Sequence, residues 1–275
     1  MNYRHLYHAG SFADVMKHVI LIAMLEAMER KETPFCYLDT HAGIGLYPLY
    51  SAQSQKRQEY LDGVAKLISL DQKTMPAEIK KYLSIVQQYN SNNKLEIYPG
   101  SPKIAEALLR PQDQMILCEL HPEDFQTLKD NFRFKQNTVL HHTDGYCGMK
   151  AFLPPKQNRA LVLIDPPFEV KNEFIPIDAA LELALKRFRQ GNFMIWYPIK
   201  NEPLTKQFHH AIKKYKTDYL MINFYLNSSP DPKRLSACGI VLINPPFKIK
   251  ELLEKAVLPY LAKALEARFE IFYSI

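Results

Sequence analysis

No cysteine pair in this 275-residue chain has CxxC spacing: Cys36, Cys118, Cys147 and Cys238 lie far apart. That argues against a structural zinc site and against a disulfide framework. No uninterrupted apolar stretch reaches the roughly 18 residues that a membrane span requires. The start, MNYRHLYHAG, puts two histidines where the apolar core of a secretory signal would lie, so secretion is not expected. Repeats and low-complexity tracts are absent. Neither sign of charge dominates, since 35 Lys plus Arg against 29 Asp plus Glu leave a net charge of +6. Such an excess is compatible with a polyanionic partner and does not establish one. What is present, 47% apolar and 23% charged residues, is the composition of a folded domain and excludes disorder. The expectation is a reduced, cytoplasmic, globular and monomeric protein with no membrane contact and no metal.

Strand-like and helix-like runs alternate along the chain. The strand candidates are Phe35–Asp39, Met115–Glu119, Val139–His142, Leu161–Asp165, Phe193–Tyr197, Tyr219–Tyr225 and Gly239–Asn244. Most are continuously apolar, as strands buried on both faces should be. Helical candidates fall between them at Pro102–Arg110, Pro122–Phe134, Ile177–Arg189 and Glu202–Tyr215, with Ser101 as a cap for the first. Strand–helix alternation predicts crossover connections and a mainly parallel sheet. The last two strands are joined by NSSPDPKRLSAC, which has turn chemistry and no helical period, so they should form an antiparallel hairpin. The expected fold is α/β, a Rossmann-like sheet of seven strands with the last one antiparallel. About 55 residues separate the glycine loop at 43–45 from the helix at 102, far more than a usual connection. Gln55–Leu70 and Pro76–Tyr89 within them have helical periodicity. Residues 50–97 are therefore expected to be a helical subdomain inserted after the first strand of a single domain spanning 1–275, too short to stand alone.

Three strand ends carry chemistry. Tyr37-Leu38-Asp39-Thr40-His41-Ala42-Gly43-Ile44-Gly45 runs from an apolar strand into a loop with two glycines. Gly43 suits a place where a cofactor approaches the backbone and one residue takes positive φ. Glu119 ends the next strand, where an acidic residue can accept from a ribose hydroxyl pair. Asp144-Gly145 follows the third, where Asp144 can accept from an adenine amino group; alone, Asp-Gly is a common turn dipeptide. Together they describe an adenosine-containing cofactor lying across the edge of the sheet.

The decisive segment is Leu161-Val162-Leu163-Ile164-Asp165-Pro166-Pro167-Phe168. Prolines fix φ and lack an N–H, so the loop leaves the strand rigidly with its carbonyls exposed. An amino group on a planar base has two hydrogens, one for the Asp165 carboxylate and one for the Pro166 carbonyl. Accepting both draws the nitrogen lone pair out of conjugation. Phe168 can stack on the base, a contact worth about 1–3 kcal/mol. These parts suit methyl transfer to an exocyclic amine, with Asp165, Pro166 and Phe168 as catalytic residues and orientation as the main source of rate. A second tetrapeptide, Asn244-Pro245-Pro246-Phe247, follows the seventh strand at the antiparallel edge, where the carboxyl end faces the other way. It reads as structural.

In this order, Asp39-Thr40-His41-Ala42-Gly43, Glu119, Asp144-Gly145 and Asp165-Pro166-Pro167-Phe168 resemble S-adenosylmethionine-dependent amino-methyltransferases of the adenine-N6 type. Tyr3-Arg4-His5-Leu6-Tyr7-His8-Ala9-Gly10, continuing through Ala13-Asp14-Val15 and Lys17-His18, is more particular. With Tyr98-Pro99-Gly100-Ser101-Pro102 and Trp196-Tyr197-Pro198 it looks like the RlmJ family, bacterial enzymes that methylate N6 of one adenine in 23S ribosomal RNA. The likeness covers essentially the whole chain. It implies a class I methyltransferase fold and S-adenosyl-L-methionine as cofactor. Cofactor contacts are then expected at His18, His41, Ser101, Glu119, Asp144, Gly145 and Asp165, with Gly43 from the loop. Asp165 is the implied catalytic acceptor, and Tyr3, His5 and Lys17 are implied to contact RNA. Two departures are mild: Phe168 replaces a frequent tyrosine, and Leu46 stands where polar residues are common.

Independently of that likeness, Ser101 should cap a helix N-terminus, favouring the cofactor's carboxylate there. Lys17 and His18 fall on a helix capped by Ser11 with Asp14 three residues on. His5 and His8 lack the spacing and acidic partner of a metal pair. Basic stretches at Lys129–Lys135, Lys186–Arg189, Lys213–Lys216 and Lys233-Arg234 are available for RNA, the last being the best placed. A DNA adenine-N6 methyltransferase is the alternative enzyme, since DNA and RNA adenines present the same amino group. A catalytically silent RNA-binding protein is the alternative outside enzymes.

Overall fold

Apolar runs of four to seven residues become strands and the amphipathic runs between them become helices. The computed structural model describes residues 4–91, 94–133, 136–169, 172–227 and 234–274. Helix α1 (Phe12–Glu29) leads into β1 (Cys36–Asp39) and the short β2 (Leu46–Pro48). Helices α2 (Ala52–Arg57), α3 (Glu59–Asp62), α4 (Val64–Ile68) and α5 (Ala77–Gln88) follow, ahead of β3 (Ile97–Pro99). The alternating part comprises α6 (Ser101–Glu106), β4 (Gln114–Glu119), α7 (Pro122–Asn131), β5 (Thr138–His142), α8 (Gly145–Phe152) and β6 (Ala160–Ile164). It continues with α9 (Phe174–Arg187), β7 (Asn192–Pro198), α10 (Glu202–Lys214) and β8 (Tyr219–Leu226). The chain closes with β9 (Ala237–Ile243), α11 (Ile249–Leu252), α12 (Leu258–Ala264) and β10 (Ala267–Tyr273).

The main sheet has the order β10-β8-β9-β7-β6-β1-β4-β5. From β5 to β7 all neighbours are parallel. β9 is antiparallel to both β7 and β8, which makes the expected hairpin. Two expectations need correction. The sheet has eight strands rather than seven, because β10 adds antiparallel to β8. The reversed seventh strand is also not the edge; it lies between β7 and β8. β10 was hard to see because ARFEIFY alternates apolar with charged residues and is half exposed. That pattern suits a protected edge rather than a buried run. β2 and β3 form a separate antiparallel pair across the base of the 50–97 segment.

Alternation within each central strand divides the core in two. Tyr37, Leu161 and Leu163 point to the layer built by α1, α5 and α12. Cys36, Leu38, Val162 and Ile164 point to the layer built by α8, α9 and α10. Helix α1 is buried on every side except at Glu26 and Glu29, so any polar group in its first turns must find a partner inside the protein. Among the described residues no helix is long and apolar enough to cross a membrane.

Candidate active site

A cleft of about 690 Å³ opens where β6, β1, β4 and β5 end. His5, Lys17, His18, His41, Gly43, Ser101, Glu119, Asp144, Gly145, Asp165, Pro166 and Phe168 all line it. Residues from α1, the glycine loop, α6 and four strand ends thus meet in one place. Tyr3 lies outside the described residues, as do Phe134, Lys135 and Lys233 of the basic stretches.

Lys17 is the electrostatic centre. It is 4% exposed, and its Nζ donates to Asp165 Oδ2 at 2.6 Å and pairs with Asp14 Oδ1 at 2.8 Å. Burial alone would strip this lysine of its proton, but Asp14 and Asp165 outweigh it and hold the ammonium well above the usual range. Burial likewise pushes Asp14 up, and His5 and Lys17 reverse that and keep it well below the usual carboxylate range. Asp14 Oδ2 also takes the Gly10 N–H and His5 Nε2, each at 2.9 Å. Lys17, expected at the RNA, is therefore committed to the carboxylate expected to act on it. The missed residue is Asp14. Its spacing from Ser11 suggested only a capping role, yet the i,i+3 step to Lys17 also carried the ion pair.

Asp39, fully buried at the end of β1, organises the neighbouring wall. Its Oδ2 accepts from Tyr37 Oη at 2.8 Å and Ser101 Oγ at 2.7 Å, and its Oδ1 from the His41 N–H. Burial pushes it up to about 6 against the pull of those hydroxyls. Ser101 is consequently not the cap it was expected to be. Gly100 holds the N-cap position of α6, because a buried carboxylate is a stronger acceptor for the Ser101 hydroxyl than helix geometry offers. Thr40 Oγ1 donates to the Leu163 carbonyl at 2.9 Å and lies 2.8 Å from His41 Nδ1. With its hydrogen spent on Leu163, Thr40 accepts from Nδ1–H. Nε2 of His41 is left as an acceptor. Burial lowers this imidazole to about 4, against Asp165 and Asp144, so it is neutral.

The strand-end carboxylates face the far half of the cleft. Glu119 Oε2 accepts from the Gly43 N–H at 2.8 Å and Oε1 from the His121 N–H at 2.7 Å, fixing the group while lone pairs remain. Gly43 and Gly45 both take positive φ, +60° and +79°, one more than the sequence required. Asp144 caps α8, accepting from the Tyr146 and Cys147 N–H groups on Oδ1 alone. Gly145 is dictated by packing: a Cβ there would sit 2.1 Å from the Thr40 carbonyl oxygen. Phe168 stands at φ +49° with its ring edge-on to Phe174 and Trp196, at 5.4 and 5.9 Å.

Further groups line the cleft, and of these Arg57 and Glu59 of the 50–97 segment and Lys200 after β7 were not singled out in the sequence, whereas Arg234 was. Arg234 bonds to Asp62 and to the Arg57 carbonyl. His8 meets Glu59, and Arg4 bridges Glu123 and Asp124 on α7. No local pattern announces these contacts, which join segments more than 50 residues apart. Asn244-Pro245-Pro246-Phe247 lies elsewhere: its Asn244 side chain donates to the Arg189 and Gly191 carbonyls ahead of β7.

Comparison with known proteins bears on this geometry. The family model described as ribosomal RNA large subunit methyltransferase D, RlmJ, matches residues 32–270. Ribosomal RNA large subunit methyltransferase J of Haemophilus influenzae is 40% identical over 96% of this chain and 94% of its own length. The protein of that name from Escherichia coli K12 is 37% identical over the same shares. The crystal structure of protein LPL1258 from Legionella pneumophila superposes with a TM-score of 0.89 at 34% identity, covering 96% of this chain and 98% of that one. The chain belongs to the RlmJ family of large-subunit ribosomal RNA methyltransferases.

Proposed function

We propose that the protein transfers the methyl group of S-adenosylmethionine to the exocyclic N6 of an unpaired or extruded adenine in 23S ribosomal RNA. It does so as a cytoplasmic monomer, one methyltransferase unit over 1–275 with 50–97 inserted. The observation that carries the reading is the Asp165 carboxylate, anchored on one oxygen by buried Lys17 at the mouth of a cleft rimmed by strand-end carboxylates. The residues fit the cofactor. Glu119 suits a ribose hydroxyl pair and Asp144 Oδ2 an adenine amino group. His18 Nε2, buried and unpartnered among the described residues, is an opening for a further polar group. Bound there, S-adenosylmethionine supplies an electrophilic methyl group.

The chain's own residues do the rest. Asp165 accepts one N6 hydrogen and the Pro166 carbonyl the other, leaving the nitrogen lone pair available. Phe168 stacks on the base and sets its plane. No strong base is needed beforehand, because N6 becomes acidic only as its new bond forms. Its proton then passes to the Asp165 carboxylate or to water. His5 and Tyr3 belong to the RNA side in this reading, and the target base must leave its stack to reach Asp165. Tritium transfer with RNA, DNA and protein substrates tests it. Label is expected at N6-methyladenine in RNA, and Asp165→Ala should abolish transfer while cofactor binding stays detectable. Label in DNA alone would favour the DNA enzyme, and wild-type turnover by Asp165→Ala would end this mechanism.

A further inference from the structure

His18 follows Lys17 on α1 and is 1% exposed. Burial and the neighbouring Lys17 hold it well below the ordinary imidazole range, so it is neutral. A neutral imidazole carries one N–H, and the nitrogen that bears it decides what the other face offers. Nδ1 lies 2.7 Å from Tyr98 Oη, which lies 3.0 Å from Tyr82 Oη on α5. Both tyrosines are fully buried.

The hydrogens along this chain can be counted. Tyr82 Oη meets only Tyr98 among the described residues, so its hydrogen goes there. Tyr98 then spends its own hydrogen on Nδ1 of His18. Each polarity leaves one hydrogen unmade: the opposite one, Nδ1–H to Tyr98 and Tyr98 to Tyr82, strands the Tyr82 hydrogen in the apolar interior, whereas this one leaves it on His18 Nε2 at the cleft wall, where a bound group can take it. Nδ1 therefore accepts, and the imidazole proton resides on Nε2. His41, fixed by Thr40, has the reverse arrangement. His18 and His41 thus face the cleft in opposite senses, one as donor and the other as acceptor.

We propose that Tyr98, backed by Tyr82 from α5, is a positioning residue that locks His18 as the Nε2–H tautomer, and that this N–H donates to the carboxylate of the bound cofactor. The second half rests on the cofactor placement proposed above. The carboxylate is the matching group because Lys17, the adjacent cation, is already committed to Asp14 and Asp165. The remaining strand-end groups, Glu119 and Asp144, are acceptors and suit the nucleoside. A donor preset by buried hydroxyls needs no reorganisation when the anion arrives.

The test uses the full chain labelled with 15N-histidine, as wild type, Tyr82→Phe, Tyr98→Phe and the double variant. NMR should find His18 protonated on Nε2 in wild type and in Tyr82→Phe, where Tyr98 still has no acceptor but Nδ1. In Tyr98→Phe and the double variant the donor is gone and the two tautomers should mix. Affinity for S-adenosylmethionine should fall about tenfold in those two, equivalent to about 1.4 kcal/mol. Affinity for the decarboxylated cofactor should not change. The double variant leaves no hydroxyl stranded, so a similar loss there excludes a folding defect. A wild-type His18 protonated on Nδ1, equal cofactor affinity in all four proteins, or an equal loss for the decarboxylated cofactor would overturn the proposal. Methyl transfer to something other than RNA, with these tautomers and affinities observed, would instead sink the functional reading and leave this one standing.

Discussion

Lys17→Met removes an ammonium while keeping most of the volume of the side chain, and the structure sets what should follow. Nζ lies 2.8 Å from Asp14 and 2.6 Å from Asp165, at 4% exposure. Breaking a buried ion pair by deleting one partner costs about 3–5 kcal/mol, because the remaining charge is left uncompensated. Asp14 keeps His5 and the Gly10 N–H, which places the expected loss near the lower end, about 3 kcal/mol. For a domain of this size that lowers Tm by about 6–12 °C. Activity should fall further than stability. Asp165 loses the contact that fixes Oδ2, and a displacement of about 1 Å in a catalytic group costs about a hundredfold in rate. Urea unfolding and tritium transfer well below Tm measure the two separately. Asp14→Asn with Lys17→Met relieves the like-charge carboxylates, so it should recover stability without recovering rate. If Lys17→Met stayed within about 1 kcal/mol and kept its turnover, Lys17 would not be gripping Asp165 and would not be the electrostatic centre of the site.

Gly145→Ala would drive a methyl group to 2.1 Å from the Thr40 carbonyl; a loss of about 1–3 kcal/mol by overpacking, together with weaker cofactor binding, is expected by calorimetry. Phe168→Ala should raise KM for RNA by about 10–100-fold through lost stacking, about 1–3 kcal/mol, with cofactor affinity unchanged in the same titrations. His41 is held near 4, below its value of about 6.5 in the unfolded chain, so the unfolded state binds more protons between those values. Its stabilising contribution is full above pH 6.5 and is lost as pH falls toward 4, by up to about 2 kcal/mol at pH 5. Urea midpoints at pH 7 and pH 5 should therefore converge in His41→Gln relative to wild type, and an identical pH response would refute the assignment.

The centre of the parallel half was readable because β1, β4 and β6 are continuous apolar runs leading to Asp39, Glu119 and Asp165. Doubly buried strands that end in polar groups at one rim locate the cleft from the sequence. β10 escaped because an edge strand is written as alternation with charge, and α11 and α12 because the π-turn at Leu253–Val257 and Pro259 just after it interrupt the helical period. The site divides the same way. Residues whose role is set by their own strand end were legible. Residues whose role is set by a partner far along the chain were not: Lys17 with Asp165, Tyr82 and Tyr98 with His18, Arg234 with Asp62. Ser101 fails instructively, since its local sequence does describe a cap and only the buried Asp39 carboxylate draws its hydroxyl elsewhere.

The two proline corners show why the first residue, more than the motif, carries the meaning. Each follows an apolar strand and continues Pro-Pro-Phe. β6 runs with its parallel neighbours, so Asp165 emerges at the rim of the cleft, whereas β9 runs against them and delivers Asn244 to the opposite rim. There the side chain faces two carbonyls, Arg189 and Gly191, and donates to both. A carboxylate at 244 has no hydrogen to offer them. At 165 the demand is the reverse, for an acceptor that meets both Lys17 and an incoming amine, and a carboxamide has one oxygen for the two, so its N–H groups would face one of those donors. Phe168 is packed against Phe174 and Trp196, while Phe247 is 81% exposed. Exchanging the two first residues should therefore damage both corners for opposite electrostatic reasons: one loses an acceptor, the other a pair of donors.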